Sequence, residues 1–413
     1  MDSDLKKPRL LVVSHVYPVD TKSGQELRVR NKLIAFRNQF HVTFLTVAAP
    51  ERINKISEAI SEYVDDVVVL PSLHSRSRLS RVWHGTLGRL YSCFTGLKSS
   101  NYSLGMVEFG LGRIEEFLAD RKFDLTVFEY WHASKATAAF RRRGIPAVLD
   151  MHNVLWRGHE RNLRAAKLPE WWVHWVVRRY RKAEEQAWER YDGLIAINRN
   201  EMDYVAKRLL SHQKLFYAPM GIDLRQWPVC SRLRSVPPRF AYYGGLGSRH
   251  NVEDALRCVR EIMPLVWDEI PEAEVWLVGS NPPDSIQELT ADSRVKVTGF
   301  VEDVASVLGE MTAVFCPWRG CYGFRSRVVE VMALGVPVIA TSDAVDGMEL
   351  RDGDGLYLRR ENSEFAASAI ALVQDHKLSG EVSERARSSV ERLYSFESTY
   401  GRLSAELLQL IGD

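Results

Sequence analysis

The chain has 413 residues, of which 46% are hydrophobic and 26% are charged, a balance typical of a folded globular protein. At roughly 150 residues per domain, this length predicts two or three domains. The formal net charge is only +2, which argues against a dedicated nucleic-acid-binding protein, because such proteins carry a clear excess of basic residues.

Short apolar runs alternate with helical patterns through the first half of the chain. Seven of these runs are predicted to be buried strands, at residues 9–14, 42–47, 67–70, 125–129, 147–151, 193–197 and 214–218. Buried strands that alternate with helices are typical of a parallel sheet covered by helices on both faces.

The same pattern restarts after residues 219–223. Six further strands are predicted at residues 240–243, 274–278, 295–298, 313–316, 336–340 and 355–358, and a helix is predicted at 253–265. The chain is therefore predicted to be an α/β protein of two similar halves that meet near residue 220. Because open parallel sheets bind ligands at the carboxyl ends of their strands, functional residues are expected in the loops that follow strands.

Three of these loops carry candidate binding residues. The first ends at Gly24, where backbone N–H groups could approach a phosphate, although a simple turn glycine explains the residue equally well. The second, residues 243–251, contains three glycines and Arg249 but matches neither the dinucleotide fingerprint nor a P-loop. Open backbone donors beside a cation suit a diphosphate better than a neutral ligand.

The third loop, within residues 317–341, is the most informative. Arg325 and Arg327 lie near a predicted helix start, where cations oppose the helix dipole and are favourable only if an anion is bound. Glu330 opens an apolar stretch of the same helix. Its carboxylate either accepts two hydroxyls of a ribose or simply faces water.

Residues 242–358 resemble the donor-binding half of the retaining family-four glycosyltransferases. They show, in order, a strand followed by a Gly-Gly loop, a strand ending in Val-Gly at 278–279, a Thr-Gly-Phe-Val turn at 298–301, and Gly-x-x-x-x-Val-x-Glu-x-Met-Ala-x-Gly-x-Pro-Val-Ile-Ala-Thr at 323–341. The N-terminal half resembles the same family more loosely, through the Gly24 loop and residues 145–152 and 219–223.

This resemblance implies the GT-B fold, in which two Rossmann-like domains face each other across a cleft. Residues 1–218 then form an acceptor-side domain, residues 219–390 form a nucleotide-sugar-binding domain, and a helix in 391–413 packs back on the first domain. The implied activity is transfer of a sugar from a nucleotide diphosphate sugar to a hydroxyl acceptor with retention of configuration. The acceptor is a glycan, a lipid-linked glycan or a small molecule.

The resemblance also implies roles for individual residues. His152 orients the donor sugar, Arg249 and Arg327 act on the leaving diphosphate, and Glu330 holds the ribose. The turn containing Phe300 and Val301 reads the nucleotide base through its backbone. The complete set assigned to donor binding is Gly24, Gly245, Phe300, Val301, Tyr322, Gly323, Phe324, Arg325, Ser326 and Glu330, with His152, Arg249 and Arg327 as catalytic residues.

Two positions depart from the family pattern. Tyr322 stands where most members have a glutamate that contacts the donor sugar, and Met220 stands where most have asparagine. A bacterial subgroup linked to exopolysaccharide synthesis also lacks the first glutamate and has a Gly-x-x-x-[Lys/Arg] pattern, which residues 323–327 resemble. Because arginines are expected to replace a metal at the diphosphate, no metal or other cofactor is predicted.

Other activities remain open on the sequence alone. A nucleotide-sugar epimerase or a non-catalytic nucleotide-sugar-binding subunit would also keep Arg327 and Glu330. A phosphorylase of this shape would need a lysine for pyridoxal phosphate, and residues 320–341 contain no lysine.

Three further segments need interpretation. Residues 67–107 lack Asp and Glu but contain Arg76, Arg78, Arg81, Arg89 and Lys98 among apolar residues, which indicates either contact with an anionic membrane or a solvated basic face. The aromatic segment 171–191 repeats at three- and four-residue steps, which favours core packing over membrane contact. The Asp352-Gly353-Asp354 sequence is interpreted as a turn rather than a metal site.

The location predicted from the sequence is the cytoplasm, with peripheral contact at the inner face of the membrane. The N-terminal residues are typical of a tail and a strand rather than a signal peptide. The five cysteines are odd in number and lack Cys-x-x-Cys spacing, which suits a reducing compartment.

Overall fold

The structure, a computed structural model, describes residues 7–19, 23–229, 236–320 and 324–412. It divides into two compact units. The N-terminal unit comprises Met1–Pro219 together with Tyr400–Asp413, and the C-terminal unit comprises Met220–Thr399.

The N-terminal unit is built on a seven-stranded parallel sheet. Its strands are β1 (Arg9–Val13), β2 (His41–Ala48), β3 (Asp66–Pro71), β4 (Leu125–Glu129), β5 (Ala147–Asp150), β6 (Gly193–Ala196) and β7 (Lys214–Tyr217), in the order β3-β2-β1-β4-β5-β6-β7. Leu10 and Val12 enter one hydrophobic core whereas Leu11 and Val13 enter another, so both faces of the sheet are covered. The strand order reverses between β1 and β4, which is where such sheets bind ligands.

Helices connect these strands. Those in the described part of this unit are α1 (Gly24–Arg37), α2 (Ile53–Ser61), α3 (Arg78–Thr95), α4 (Ser99–Tyr102), α5 (Leu111–Phe117), α6 (Thr137–Arg141), α7 (Leu155–Ala165), α8 (Glu170–Trp188) and α9 (Arg199–Ala206). In α8, Val176, Tyr180 and Ala187 are buried, which confirms core packing for the aromatic segment. Trp171 at the start of α8 is an exception and is 73% exposed.

The C-terminal unit repeats the plan with six parallel strands. They are β8 (Arg239–Tyr243), β9 (Glu274–Val278), β10 (Val295–Gly299), β11 (Ala313–Cys316), β12 (Val338–Ala340) and β13 (Leu356–Leu358), in the order β10-β9-β8-β11-β12-β13. The strand order again reverses, here between β8 and β11. Every strand expected from the sequence is present in the two units, with ends within two residues of prediction.

The helices of the described C-terminal unit are α10 (Arg249–Arg257), α11 (Met263–Trp267), α12 (Asp284–Gln287), α13 (Val304–Gly309), α14 (Ser326–Ala333), α15 (Asn362–Gln374) and α16 (His376–Tyr394). The single helix predicted at 253–265 was wrong in its bounds. Ser248 caps an earlier start by accepting the N–H of Asn251, and a π-helical turn interrupts the helix just before Pro264, which has no N–H to donate.

The last helix belongs to the N-terminal unit. This helix, α17 (Arg402–Gly412), places Leu403 and Leu407 in the same core as Leu10 and Val12 of β1. No helix in the described ranges combines the length and apolar character that a membrane crossing requires.

Candidate active site

Two loops meet at the reversal of strand order in the C-terminal unit, one after β8 and one after β11. A Cβ on Gly244, the first loop residue after β8, would lie 1.9 Å from Nη1 of Arg327. A Cβ on Gly279, after β9, would lie 1.9 Å from the carbonyl oxygen of Gly244. Glycine at both positions therefore lets the backbones of the loops after β8 and β9 pack against each other and lets the Arg327 side chain of α14, which follows β11, pack against the β8 loop.

Two arginines share one indole at this edge. The guanidinium carbons of Arg325 and Arg327 lie 4.7 and 4.6 Å from the ring centroid of Trp318, which is itself buried. Nη1 of Arg327 donates to the carbonyl of Tyr243 (3.0 Å), and Nη2 of Arg325 donates to the carbonyl of Gly320 (2.9 Å). Burial and the nearby charge of Arg327 lower the pKa of Arg325.

Two neighbouring cations repel each other unless an anion lies between or beside them. Among the described residues, no carboxylate lies within ion-pair distance of Arg327. The carbonyl of Tyr243 and the aromatic face of Trp318 hold this guanidinium in place without neutralising its charge. The charge of Arg327 therefore remains available to an anionic group.

Glu330 lies one turn further along α14. It is only 8% exposed, and its Oε2 accepts a hydrogen bond from the Tyr243 hydroxyl (3.1 Å). Burial raises the pKa of Glu330, while hydrogen bonds from Ser326 and Tyr243 act in the opposite direction. The alternative of a carboxylate that simply faces water is excluded by this burial.

The other residues predicted to bind the donor do not form a cluster with Arg327 and Glu330 in the described contacts. Arg249 starts α10, has a side chain 88% exposed, and forms a surface ion pair with Glu253 (2.7 Å). Phe300, which follows β10, is 80% exposed, and Val301 packs partly against the core. The carbonyl of Gly245 accepts from Asn251 (2.6 Å).

Four positions of this set remain. The ring of Phe324 contacts that of Tyr394 at 5.6 Å between centroids. Tyr322 and Gly323 lie outside the described residues. Gly24, in the N-terminal unit, is the exposed first residue of α1, and Ser23 before it caps that helix together with Glu26.

A buried ionic network lies at the carboxyl ends of β4 and β5 in the N-terminal unit. Two cations of α1 contact two carboxylates at the ends of strands. Arg28 donates two hydrogen bonds to Asp150 (3.0 and 3.1 Å). Nζ of Lys32 donates to both Asp150 and Glu129, the latter at 2.7 Å. All four residues are at most 4% exposed. Burial alone would raise the pKa of Asp150, but Arg28 and Lys32 hold it well below its usual range.

His152 joins this network. Its Nε2 is hydrogen-bonded to the second carboxylate oxygen of Glu129, and its backbone N–H donates to Asp150 (3.1 Å). Its ring stacks on that of Tyr130 with centroids 4.2 Å apart. Both His152 (φ 56°) and Tyr130 (φ 66°) adopt left-handed backbone angles, which is a strained arrangement of the kind concentrated at functional sites.

Two more histidines surround Tyr130. His15, after β1, and His132, after β4, contact its ring with centroids 5.2 and 6.0 Å away. Burial, with a contribution from the nearby His152, lowers the pKa of His15 to about 4, and burial with His15 nearby lowers that of His132 to about 3. At these pKa values both imidazoles are neutral near pH 7, and Nδ1 of His132 is hydrogen-bonded to Nδ2 of Asn101 (3.1 Å).

The described residues include one set that could hold a metal ion, Glu129, Asp150 and His152. The ammonium of Lys32 already contacts both carboxylates, so a metal ion would have to displace it. Asp352 and Asp354 instead accept backbone N–H groups of Leu358 (2.7 Å) and Arg351 (2.9 Å), which confirms the turn expected there.

Most of this second cluster was not predicted from the sequence. His152 was predicted as a site residue, whereas its carboxylate partner Glu129 and the two cations of α1 were not. The available signal was the pair Arg28 and Lys32, four residues apart on a helix whose neighbouring positions Val29 and Leu33 are apolar. Charged residues embedded in an apolar face indicate buried partners.

Two family models match most of the chain. Residues 23–221 match a family model described as "Glycosyl transferase 4-like domain", and residues 237–375 match one described as "Glycosyl transferases group 1". A search of curated proteins finds no match.

Solved structures align over nearly the whole chain. The alignment with sucrose-phosphate synthase from Thermosynechococcus elongatus covers 98% of this chain and 100% of the synthase chain, with 16% identity and a TM-score of 0.65. HepE from Anabaena, in complex with UDP and glucose, gives the same coverage and identity with a TM-score of 0.61. The lipopolysaccharide outer core galactosyltransferase WaaB covers 97% and 99%, with 16% identity and a TM-score of 0.59. At these identities the likeness shows the fold, two Rossmann-like domains of the GT-B type.

Proposed function

From the match of the two parts of the chain to glycosyltransferase family models, we propose that it transfers a sugar from a nucleotide diphosphate sugar to a hydroxyl acceptor with retention of configuration and without a metal ion. The observation that carries the proposal is the arrangement of Arg325, Arg327 and Glu330 at the carboxyl edge of the second sheet. It offers cations for a diphosphate and a buried carboxylate for ribose hydroxyls.

In the proposed reaction, the bond between the sugar carbon and the diphosphate oxygen breaks while the acceptor oxygen attacks the same carbon. Negative charge grows on the leaving diphosphate, and Arg327 with Arg325 stabilises it where other transferases use a metal ion. The proton of the acceptor hydroxyl leaves with the diphosphate. His152, held by Glu129, is assigned to orient the donor sugar.

Solved relatives support the type of donor. Structures of Anabaena HepE contain UDP, UDP with glucose, or UDP-glucose, and a structure of TarM from S. aureus contains UDP. The base and sugar used by this chain are to be identified with a thermal-shift panel of nucleotide diphosphate sugars. A donor at 100 times its Kd should raise the unfolding free energy by about 2.7 kcal/mol. Absence of a shift with every donor would contradict the proposal.

Replacing Glu330 by glutamine is expected to weaken donor binding while leaving the fold intact. The amide keeps the volume but removes the charged acceptor, and a hydrogen bond to a charged group contributes roughly 1.5–3 kcal/mol. Calorimetry with the donor found by the panel should therefore show a Kd about 10- to 100-fold higher.

A matched control is Glu381→Gln, which changes the same group on the exposed surface of α16. It should leave the donor Kd unchanged. Equal donor affinity in wild type and Glu330→Gln would show that Glu330 has only a structural role.

We also propose that α3 makes peripheral contact with an anionic membrane. Five apolar residues on this helix are between 48% and 84% exposed: Leu79, Val82, Trp83, Leu90 and Phe94. Arg78, Arg81 and Arg89 lie on the same helix and are also exposed. An exposed apolar face beside basic residues is the pattern of a helix that lies in a membrane interface.

The expected result is salt-sensitive flotation with vesicles that contain anionic lipid. Because each basic residue near such a surface contributes about 1 kcal/mol, Arg78→Gln, Arg81→Gln and Arg89→Gln together should abolish flotation. The matched control replaces Lys55, Lys122 and Lys207, which are exposed elsewhere on the N-terminal unit. A wild-type protein that stays with the soluble fraction at low salt would contradict this proposal.

A further inference from the structure

Helix α7 starts three residues after His152 and has no cap of its own. Its N-cap residue is Val154, which has no side-chain oxygen to accept a backbone N–H group, whereas Ser, Thr, Asp and Asn are the usual residues at this position. Val154 is only 2% exposed, so its own N–H is shielded from water. The N–H groups at the start of α7 therefore need acceptors from elsewhere in the fold.

Two carboxylates from other helices supply these acceptors. Glu184 of α8 accepts the N–H groups of Leu155 and Trp156, one on each carboxylate oxygen (both 2.8 Å). Glu201 of α9 accepts the N–H group of Val154 (2.9 Å). The two glutamates, here named the carboxylate clamp, are 1% and 6% exposed. Three successive N–H groups are thus held by two buried side chains.

Burial makes this arrangement costly. It raises the pKa of Glu184 to about 8 and that of Glu201 to about 7, while the N–H donors act in the opposite direction. The nearby charge of Glu201 adds to the increase at Glu184. A serine or an aspartate at position 154 would cap α7 without a buried charge, so capping alone does not account for the clamp. Carboxylates perturbed in this way are concentrated at functional sites.

The clamp directly follows a strained residue. His152 has a φ of 56°, and a non-glycine residue keeps such an angle only where the surrounding structure fixes it. On its N-terminal side, Asp150 accepts the N–H of His152 (3.1 Å). On its C-terminal side, the N–H of Asn153 returns to the carbonyl of Met151 (2.7 Å), and the clamp begins at the next residue. The backbone of His152 is therefore held from both sides.

We propose that Glu184 and Glu201 are positioning residues for His152. By fixing the backbone at residues 154–156, they hold the strained turn and keep the imidazole in the orientation in which it contacts Glu129 and Tyr130. The consequence for catalysis rests on the proposed function, in which His152 orients the donor sugar. The coupling between the clamp and the imidazole does not rest on it.

The first test is Glu184→Gln in the full-length protein, measured at a pH above the pKa values of both glutamates. An amide has one acceptor oxygen, so it can serve only one of the two N–H groups, and its NH₂ group faces the other. We expect kcat to fall about tenfold or more, since misplacing a catalytic group by about 1 Å can cost about 10² in rate. The donor Kd from calorimetry should change less than about threefold, because the effect is on the reacting sugar rather than on the nucleotide.

Two other glutamates allow a matched comparison. Glu201 accepts one N–H group, and its Oε2 has no hydrogen-bond partner among the described residues, so Glu201→Gln keeps the acceptor that the clamp needs. It should retain more of the rate than Glu184→Gln. Glu185→Gln is the control, because Glu185 is the next residue on α8 but contacts Arg181 and Arg208, and it should leave kcat unchanged. Equal losses in the two clamp variants would overturn the proposal, as would a full rate in Glu184→Gln.

The second test does not depend on turnover. In protein made with isotope-labelled histidine, the NMR signal of the His152 imidazole is identified by its loss in His152→Ala. This signal should shift or broaden in Glu184→Gln and stay in place in Glu185→Gln. The signal of His41, which pairs with Asp66 in the same unit, should stay in place in both variants and shows that they are folded. An unmoved His152 signal in Glu184→Gln would overturn the proposal.

A second clamp variant covers a failure of Glu184→Gln to fold. Glu184→Asp keeps both oxygens but is one methylene shorter, so it cannot reach both N–H groups, and it should move the His152 signal and lower kcat in the same direction.

The outcomes separate this inference from the proposed function. A displaced His152 signal in a protein that consumes no nucleotide sugar would support the coupling and contradict the proposed function. Sugar transfer at an unchanged rate in Glu184→Gln would overturn the positioning role and leave the proposed function standing.

Discussion

Replacing Arg327 by alanine is expected to lower kcat by about 10²- to 10³-fold, the usual cost of removing one donor that stabilises transition-state charge. Arg327 is held by the carbonyl of Tyr243 and by the indole of Trp318, and no carboxylate in the described ranges pairs with it. Its positive charge is therefore held in a fixed position, as the proposed role at the diphosphate requires. Arg325→Ala should lose less, because side chains two positions apart point in different directions from the helix, and Arg327 is the one that lies a turn from Glu330.

The measurement is donor consumption under saturating donor, with and without excess EDTA. Wild-type turnover should survive EDTA, since in the proposed mechanism arginines rather than a metal ion neutralise the leaving group. Arg327→Lys serves as the conservative control: it keeps the charge but loses the planar fork, so its rate should lie between those of wild type and Arg327→Ala. Loss of wild-type turnover in EDTA, or a full rate in Arg327→Ala, would contradict the metal-free arginine mechanism.

The strands could be predicted because their signal is local. Runs such as residues 125–129 and 274–278 are apolar, short and bounded by polar segments, and the strands in the structure have these bounds. The bounds of the helix predicted at 253–265 were wrong for an equally local reason. Ser248 caps an earlier start of the helix, and Pro264 has no N–H to donate to its hydrogen-bond pattern.

The contacts of the site could not be predicted in the same way. Glu330 and Tyr243 are 87 residues apart, and Lys32 and Glu129 are 97 apart, so no local pattern joins them. Their meeting follows from strand order and from the direction in which each side chain leaves its strand or helix. The pairing of Arg249 with Glu253 has a four-residue helical spacing, but it was not predicted either, because the predicted helix began only at residue 253.

Replacing Asp150 by asparagine is expected to destabilise the N-terminal unit by about 3–5 kcal/mol, because it leaves the charges of Arg28 and Lys32 buried with one carboxylate instead of two. Denaturant unfolding followed by intrinsic fluorescence measures the change. Asp66→Asn is the matched control, since Asp66 pairs with His41 on the surface through side chains 50% and 42% exposed. Exposed pairs contribute at most about 1 kcal/mol, so the control should differ little from wild type.

The destabilisation should depend on pH in a definite direction. Arg28 and Lys32 outweigh burial and hold the pKa of Asp150 below its usual range, whereas an unfolded aspartate titrates near about 3.9. Above that pH, Asp150 is ionised in both the folded and the unfolded chain, and its ion pairs make their full contribution to the free energy of unfolding. As the pH falls, this aspartate binds a proton in the unfolded chain while it stays ionised in the folded chain, so the contribution is lost. Wild type therefore loses stability on acidification, whereas the asparagine at position 150 cannot titrate. The difference in unfolding free energy between wild type and Asp150→Asn should be largest near about pH 7 and should decrease below about pH 4. A gap of constant size across this range would show that the effect of the substitution is steric rather than ionic.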